Sequence, residues 1–155
     1  MSGKIIIVGA TGYTGTALAK LLKQENIDCH LIGRNESELE KLANETGQSF
    51  SVCSNVSDEQ SVSESLSSIT DDKIIGLAYC VGSIVLKSFQ TTKTDDFINT
   101  FNLNVTGAIH FIKKLQKQLA DNNGSIVLFS TVAVDRKSTR LNSSHTDISR
   151  MPSSA

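Results

Sequence analysis

Lys4-Ile5-Ile6-Ile7-Val8-Gly9-Ala10-Thr11-Gly12-Tyr13-Thr14-Gly15 decides the fold. The β-branched run reads as a buried strand, and the glycines after it mark a tight turn. Ala17, Leu18, Leu21 and Leu22 then recur at helical spacing. Strand, glycine turn and helix, in that order, are what a nucleotide diphosphate needs. Glycines let the backbone come close to the phosphates, and the helix start offers free N–H groups and a positive dipole end.

Outward from this loop, strands and helices alternate. Cys29-His30-Leu31-Ile32 forms a second strand, and Asn35-Glu36-Ser37-Glu38 reads as a capping box opening a helix with Leu39, Leu42 and Ala43 inward. Ser49 to Ser54 is a third strand; Ser57-Asp58-Glu59-Gln60 is a second capping box before a helix carrying Val62, Leu66 and Ile69. Ile74 to Cys80 is a fourth strand. Thr94 caps a long helix with Phe97, Phe101, Val105, Ala108, Ile112, Leu115 and Leu119 on one face, and Ser125 to Thr131 is a fifth strand. This alternation predicts an α/β fold, a doubly wound parallel sheet covered by helices on both faces.

The 155 residues, 39% of them hydrophobic, suffice for one core. A formal charge of −1 gives no electrostatic case for nucleic acid or an anionic membrane surface. No apolar run reaches the roughly 18 residues of a membrane span, and Met1-Ser2-Gly3-Lys4 leads straight into a strand rather than a signal peptide. Cys29, Cys53 and Cys80 have no metal-ligand spacing, and His30, His110 and His145 form no cluster, so no metal site is expected. Reduced structural thiols point to a cytoplasmic protein.

The ordered motifs resemble the short-chain dehydrogenase/reductase family over residues 4–134. Thr11-Gly12-Tyr13-Thr14-Gly15 falls where that family has its Thr-Gly-x-x-x-Gly loop, though Gly15-Thr16-Ala17 lacks the common final glycine. The resemblance implies a Rossmann-like sheet of order 3-2-1-4-5, with Gly9, Thr11, Gly12, Tyr13, Thr14 and Gly15 at the cofactor phosphates. An NAD-preferring site places a carboxylate after the second strand. Here Gly33 holds that slot, and Arg34 follows with a guanidinium suited to a phosphate, which favours NADP(H) over NAD(H). Asn55-Val56 matches the Asp-Val pair beside the adenine. Tyr79-Cys80-Val81-Gly82 stands where the family shows Asn-Asn-Ala-Gly, and only Gly82 matches.

Asn104-Val105-Thr106-Gly107 matches Asn-x-x-Gly, whose asparagine helps position a relay water and the catalytic lysine. It is expected on or close to the buried face of its helix, where an unpaired amide is costly. In Ser130-Thr131-Val132-Ala133, Thr131 falls in the substrate-orienting serine slot and Ser130 one position before it. Successive strand residues face opposite sides, so only one of the two should address the substrate, and Thr131 is favoured.

The family's Tyr-x-x-x-Lys is not found. Counting about thirteen positions from Thr131 reaches Ser144, and the only tyrosines are Tyr13 and Tyr79. From Asp135 onward the strand-and-helix pattern gives way to a polar, serine-rich stretch. Asp135–His145 and Ser149–Ala155 can be written in codons that spell two parts of a sequencing-library adapter, on either side of a variable Thr146-Asp147-Ile148. The expectation is an incomplete dinucleotide-binding domain over 1–134, cut after its fifth strand, and a non-native, unstructured tail over 135–155. Four cations and two carboxylates lie in that tail, which leaves −3 on the rest.

The resemblance implies a parent oxidoreductase moving hydride between the nicotinamide and a small carbonyl or alcohol substrate. The parent alone is expected to be a homo-oligomer, and this chain to bind cofactor without turnover. The alternative is a catalytically silent NADP(H)-binding regulator, to which the degenerate Tyr79-Cys80-Val81-Gly82 motif lends weight.

Overall fold

A computed structural model describes residues 3–130. Five parallel strands form one sheet in the order β3-β2-β1-β4-β5: β1 (Lys4–Val8), β2 (Cys29–Gly33), β3 (Ser49–Val52), β4 (Ile74–Tyr79) and β5 (Ser125–Leu128). Between them run α1 (Tyr13–Gln24), α2 (Glu36–Thr46), α3 (Glu59–Leu66), α4 (Thr94–Phe101) and α5 (Gly107–Asp121). The expected fold and strand order are both present.

β1 pairs with β2 on one side and β4 on the other, so its side chains alternate between two dry layers. Ile6 and Val8 face the layer of α3 and α5, with Val62, Leu66, Ala108, Phe111, Leu115 and Leu119. Ile7 faces α1 and α2, against Ala19, Leu22, Leu39, Leu42 and Ala43. Each such buried aliphatic side chain contributes about 1.5–3 kcal/mol of transfer free energy. On α1 the inward face is Gly15, Ala19 and Leu22, so Ala17 and Leu21 of the expected stripe point outward.

The helix starts depart from expectation in detail. Asn35 caps α2 through its side chain, accepting from the Glu38 N–H at 3.3 Å, and Gly47 at φ 71° ends the helix. The cap of α3 is Asp58, one residue later than expected, because its carboxylate reaches the Ser61 N–H at 2.8 Å while the Ser57 N–H turns back to Asn55 Oδ1. Thr94 is the first residue of α4 rather than its cap, and Asp96 Oδ2 accepts the Lys93 N–H at 3.0 Å.

The long helix is two helices joined by a π turn at Asn102–Thr106. After it the buried positions are Gly107, Ala108, Phe111, Leu115 and Leu119: the expected Ala108, Leu115 and Leu119 are joined by a fully buried Phe111, and Ile112 is partly buried against the same core. Phe97, Phe101 and Val105, expected on the same inward stripe, are exposed. Among the described residues β5 pairs only with β4, and Ile126, Val127, Leu128 and Phe129 along it are exposed.

Candidate functional site

The chain order reverses between β1 and β4, whose connections leave on opposite sides of the sheet. A crevice opens there, outside the carboxyl ends of the strands, as it does in doubly wound sheets. Its volume is about 810 Å³, and its lining comes from the ends of β1, β2 and β4, the β3–α3 loop and the π turn.

The glycine loop forms the floor. Gly9 has φ 81°, and a Cβ there would press on the Val81 side chain and the Cys80 backbone, so only glycine turns the chain this closely. Gly12 precedes the first turn of α1 and lines the crevice. A Cβ on Gly15 would overlap the Gly9 carbonyl and the Ala10 Cα, so Gly15 is what lets α1 start directly against β1. The three glycines are evenly spaced, with two residues between Gly12 and Gly15 where the family loop has three. The first glycine serves the turn, the second the open approach and the third the packing. Thr11 lines the crevice; Tyr13 and Thr14 do not, and Tyr13 is 95% exposed. The first turn of α1 carries no acidic residue, leaving its N–H groups available to an anion.

At the β2 end, Gly33 is buried, and a Cβ there would sit 3.3 Å from Leu39 Cδ2. Arg34 is exposed, lines the crevice, and has no ion pair among the described residues. Glu36 and Glu38, which the sequence reading passed over, line the same end. Their position in the first turn after Arg34 was the available signal. Asn55 and Val56 both line the crevice. Asn55 Oδ1 accepts the Ser57 N–H at 3.0 Å, which fixes the orientation of the amide at the crevice. The Val56 carbonyl lies 3.3 Å from His110 Nδ1, which ties this loop to α5.

Gly82 lines the crevice with Cys80 and Val81, and burial pushes the Cys80 thiol up to about 11. Asn104 is exposed rather than turned to the core. Its amide takes both backbone groups of Ser83, accepting the N–H at 2.8 Å and donating to the carbonyl at 2.9 Å. The expected cost of an unpaired amide is thus met by a loop 21 residues upstream. Leu103, the preceding residue, lines the crevice and was not foreseen. Ser130 is exposed just beyond β5 and does not line the crevice; Thr131 lies outside the described residues.

A parallel sheet of this order, with a glycine-floored crevice at its switch point, defines a doubly wound, Rossmann-like α/β protein. The short chain dehydrogenase family pattern matches residues 3–143, and the chain belongs to that family. It is 31% identical over 145 residues to a serine 3-dehydrogenase of Agrobacterium fabrum, a match covering 86% of this chain and 55% of that protein. The chain therefore spans about half the length of the curated relatives it matches. A serine dehydrogenase of Escherichia coli shares the fold at TM-score 0.78 and 17% identity, over 85% of this chain and 63% of that one. A closed serine dehydrogenase complexed with NADP+ does so at TM-score 0.78 and 17% identity, over 85% and 55%.

Proposed function

We propose that this chain is the cofactor-binding part of an NADP(H)-dependent short-chain oxidoreductase whose parent acts on a small carbonyl or alcohol substrate. The observation that carries the cofactor preference is Arg34 at the crevice's β2 end, beside a buried Gly33 that leaves no carboxylate in the ribose-binding position. A guanidinium there matches a 2′-phosphate. The NADP+ held by one structural neighbour and the serine dehydrogenase names of the relatives support the same reading.

The residues present fit a dinucleotide. Gly9 and Gly15 close the loop where side chains would overlap backbone, and Gly12 leaves the pyrophosphate an open approach. Thr11 and the first-turn N–H groups of α1 would hold the pyrophosphate, Arg34 the 2′-phosphate, and Asn55 and Val56 the adenine. Gly82 would flank the nicotinamide side. The nicotinamide supplies hydride transfer when bound; the protein orients it. Asn104 holds the β4 exit loop, and by the family motif Thr131, with Ser130 before it in the sequence, would orient a substrate oxygen. Residues 135–155 belong in this reading to a non-native tail, so the proton donor of the reaction would come from the parent.

Titrating the chain with NADPH and NADH, read by nicotinamide fluorescence, tests this. NADPH should bind at least about tenfold more tightly, the scale of one charge-assisted hydrogen bond, and Arg34→Ala should erase the difference. Equal affinities in the unsubstituted chain overturn the NADP(H) assignment.

A further inference from the structure

Tyr79 stands where the family has an asparagine, and its side chain does something an asparagine is too short to do. It leaves the end of β4 on the α5 side, is 3% exposed, and packs its ring against Phe111 with centroids 6.2 Å apart. Its hydroxyl donates to the Leu103 carbonyl at 2.6 Å. Leu103 lies within the π turn. In an uninterrupted α-helix the Gly107 N–H would bond the Leu103 carbonyl, four residues back. Here it bonds Asn102 instead, five residues back. The tyrosine hydroxyl occupies the acceptor that this change of register releases. Gly107 completes the arrangement, since a Cβ there would overlap the hydroxyl.

The next residue after Leu103 is Asn104, whose amide grips both backbone groups of Ser83. Ser83 follows Cys80, Val81 and Gly82, which line the crevice at the β4 side. A chain of contacts therefore runs from the Tyr79 hydroxyl through the π turn and Asn104 to the loop on which the nicotinamide end of a dinucleotide would rest. We propose that Tyr79 is a positioning residue: its hydroxyl holds the π turn in register, and thereby aims Asn104 at Ser83 and sets the nicotinamide side of the crevice. The cofactor arm of this proposal rests on the dinucleotide-binding function proposed above. The mechanical arm stands on the hydrogen bonds alone.

Tyr79→Phe keeps the ring packing and removes only the hydroxyl. The full chain and this variant are titrated with NADPH and with 2′,5′-ADP, which fills only the adenosine half. The expected result is about tenfold weaker NADPH binding, the scale of one buried hydrogen bond, with 2′,5′-ADP affinity unchanged. Equal losses for both ligands, or none for either, overturn the positioning role, because a merely structural hydroxyl would not separate the two halves of the crevice. Amide hydrogen exchange without ligand keeps the two proposals distinguishable. If the unsubstituted chain binds neither ligand, the cofactor reading fails. Faster exchange at Ser83 and Gly107 in Tyr79→Phe then still upholds the mechanical link, and unchanged exchange overturns it.

Discussion

Lowering the pH from 7 to 4 should destabilise this fold through one residue, His30. It sits on β2 with 1% exposure, its Nδ1 2.8 Å from Ser49 Oγ and its Nε2 2.9 Å from Ser51 Oγ. Ser51 commits its own proton to the Ser65 carbonyl at 2.6 Å, so its oxygen can only accept from His30. Nε2 therefore carries the ring proton, and Nδ1 accepts from Ser49: a neutral imidazole fully satisfied. Burial is the main cause that lowers its pKa from 6.5 to about 4; Lys4 lowers it further, and Asp72 partly offsets that. Between those two values the unfolded chain binds a proton that the folded chain refuses. Stability is then full above pH 6.5 and falls as the pH drops toward 4, by about 3 kcal/mol at about 1.36 kcal/mol per unit. Urea unfolding at pH 7, 6, 5 and 4 measures it. The control is His30→Gln, which does not titrate and should be flatter by about that amount. Parallel pH curves for the two proteins, or an imidazole that titrates near 6.5 by NMR in the folded state, would refute the reasoning.

Gly15→Ala forces a Cβ into the Gly9 carbonyl and should cost about 1–3 kcal/mol in urea unfolding, as overpacking does; an unchanged midpoint contradicts the assigned packing role. Neutralising Glu36 and Glu38 together by Gln substitution should tighten NADPH binding at low salt and lose that gain at high salt, since both are exposed carboxylates beside Arg34; a gain that persists at high salt argues for contact rather than field. The 155-residue chain should show no NADPH-dependent carbonyl reduction. Tyr13 points to solvent, while the Tyr79 hydroxyl is bonded to a backbone carbonyl and burial raises its pKa; turnover by purified chain contradicts this. Sequencing the genomic locus through the Val134 codon should replace Asp135–Ala155 with a continuation holding Tyr-x-x-x-Lys; a genomic Asp135–Ala155 ends the adapter proposal.

The sheet was legible because its signals are local. Ile5 to Val8 are apolar and β-branched, glycines follow at once, and each later strand is fenced by capping or turn residues. Where the expectation slipped, the cause lay outside the local window. The stripe from Phe97 to Leu119 assumes one helix packed along its whole length; Ala108, Leu115 and Leu119 keep that face beyond the π turn at Asn102–Thr106, whereas no residue of α4 is buried, which leaves Phe97 and Phe101 out. Nothing in Asn-Leu-Asn-Val-Thr announces a five-residue hydrogen-bonded turn, because the hydroxyl bonded within it comes from Tyr79. Asp58 displaced Ser57 as a cap for a nearer reason: both residues suit the role, and only the backbone path decides which one faces the Ser61 N–H.

The same distinction divides the crevice. Its β2 half is set by short-range chemistry: a positive φ at Gly9, a helix start at Gly12, and the side chains next to Gly33. Such a half can be read from sequence, and Glu36 and Glu38 belong to it because the first turn of α2 follows Arg34 directly. The β4 half depends on two contacts across more than twenty residues, Tyr79 to Leu103 and Ser83 to Asn104. There the motif comparison treated Tyr79 as a loss, although its hydroxyl connects the strand end to the helix. A residue that departs from a family pattern while making a buried, geometrically demanding hydrogen bond has exchanged one way of holding the site for another. Substituting Asn for Tyr79, the residue the motif would restore, should therefore weaken NADPH binding rather than strengthen it: the shorter side chain cannot span to Leu103 and leaves a cavity beside Phe111. Tighter NADPH binding by Tyr79→Asn would show that the motif comparison, and not the contact geometry, was the better guide to this half of the crevice.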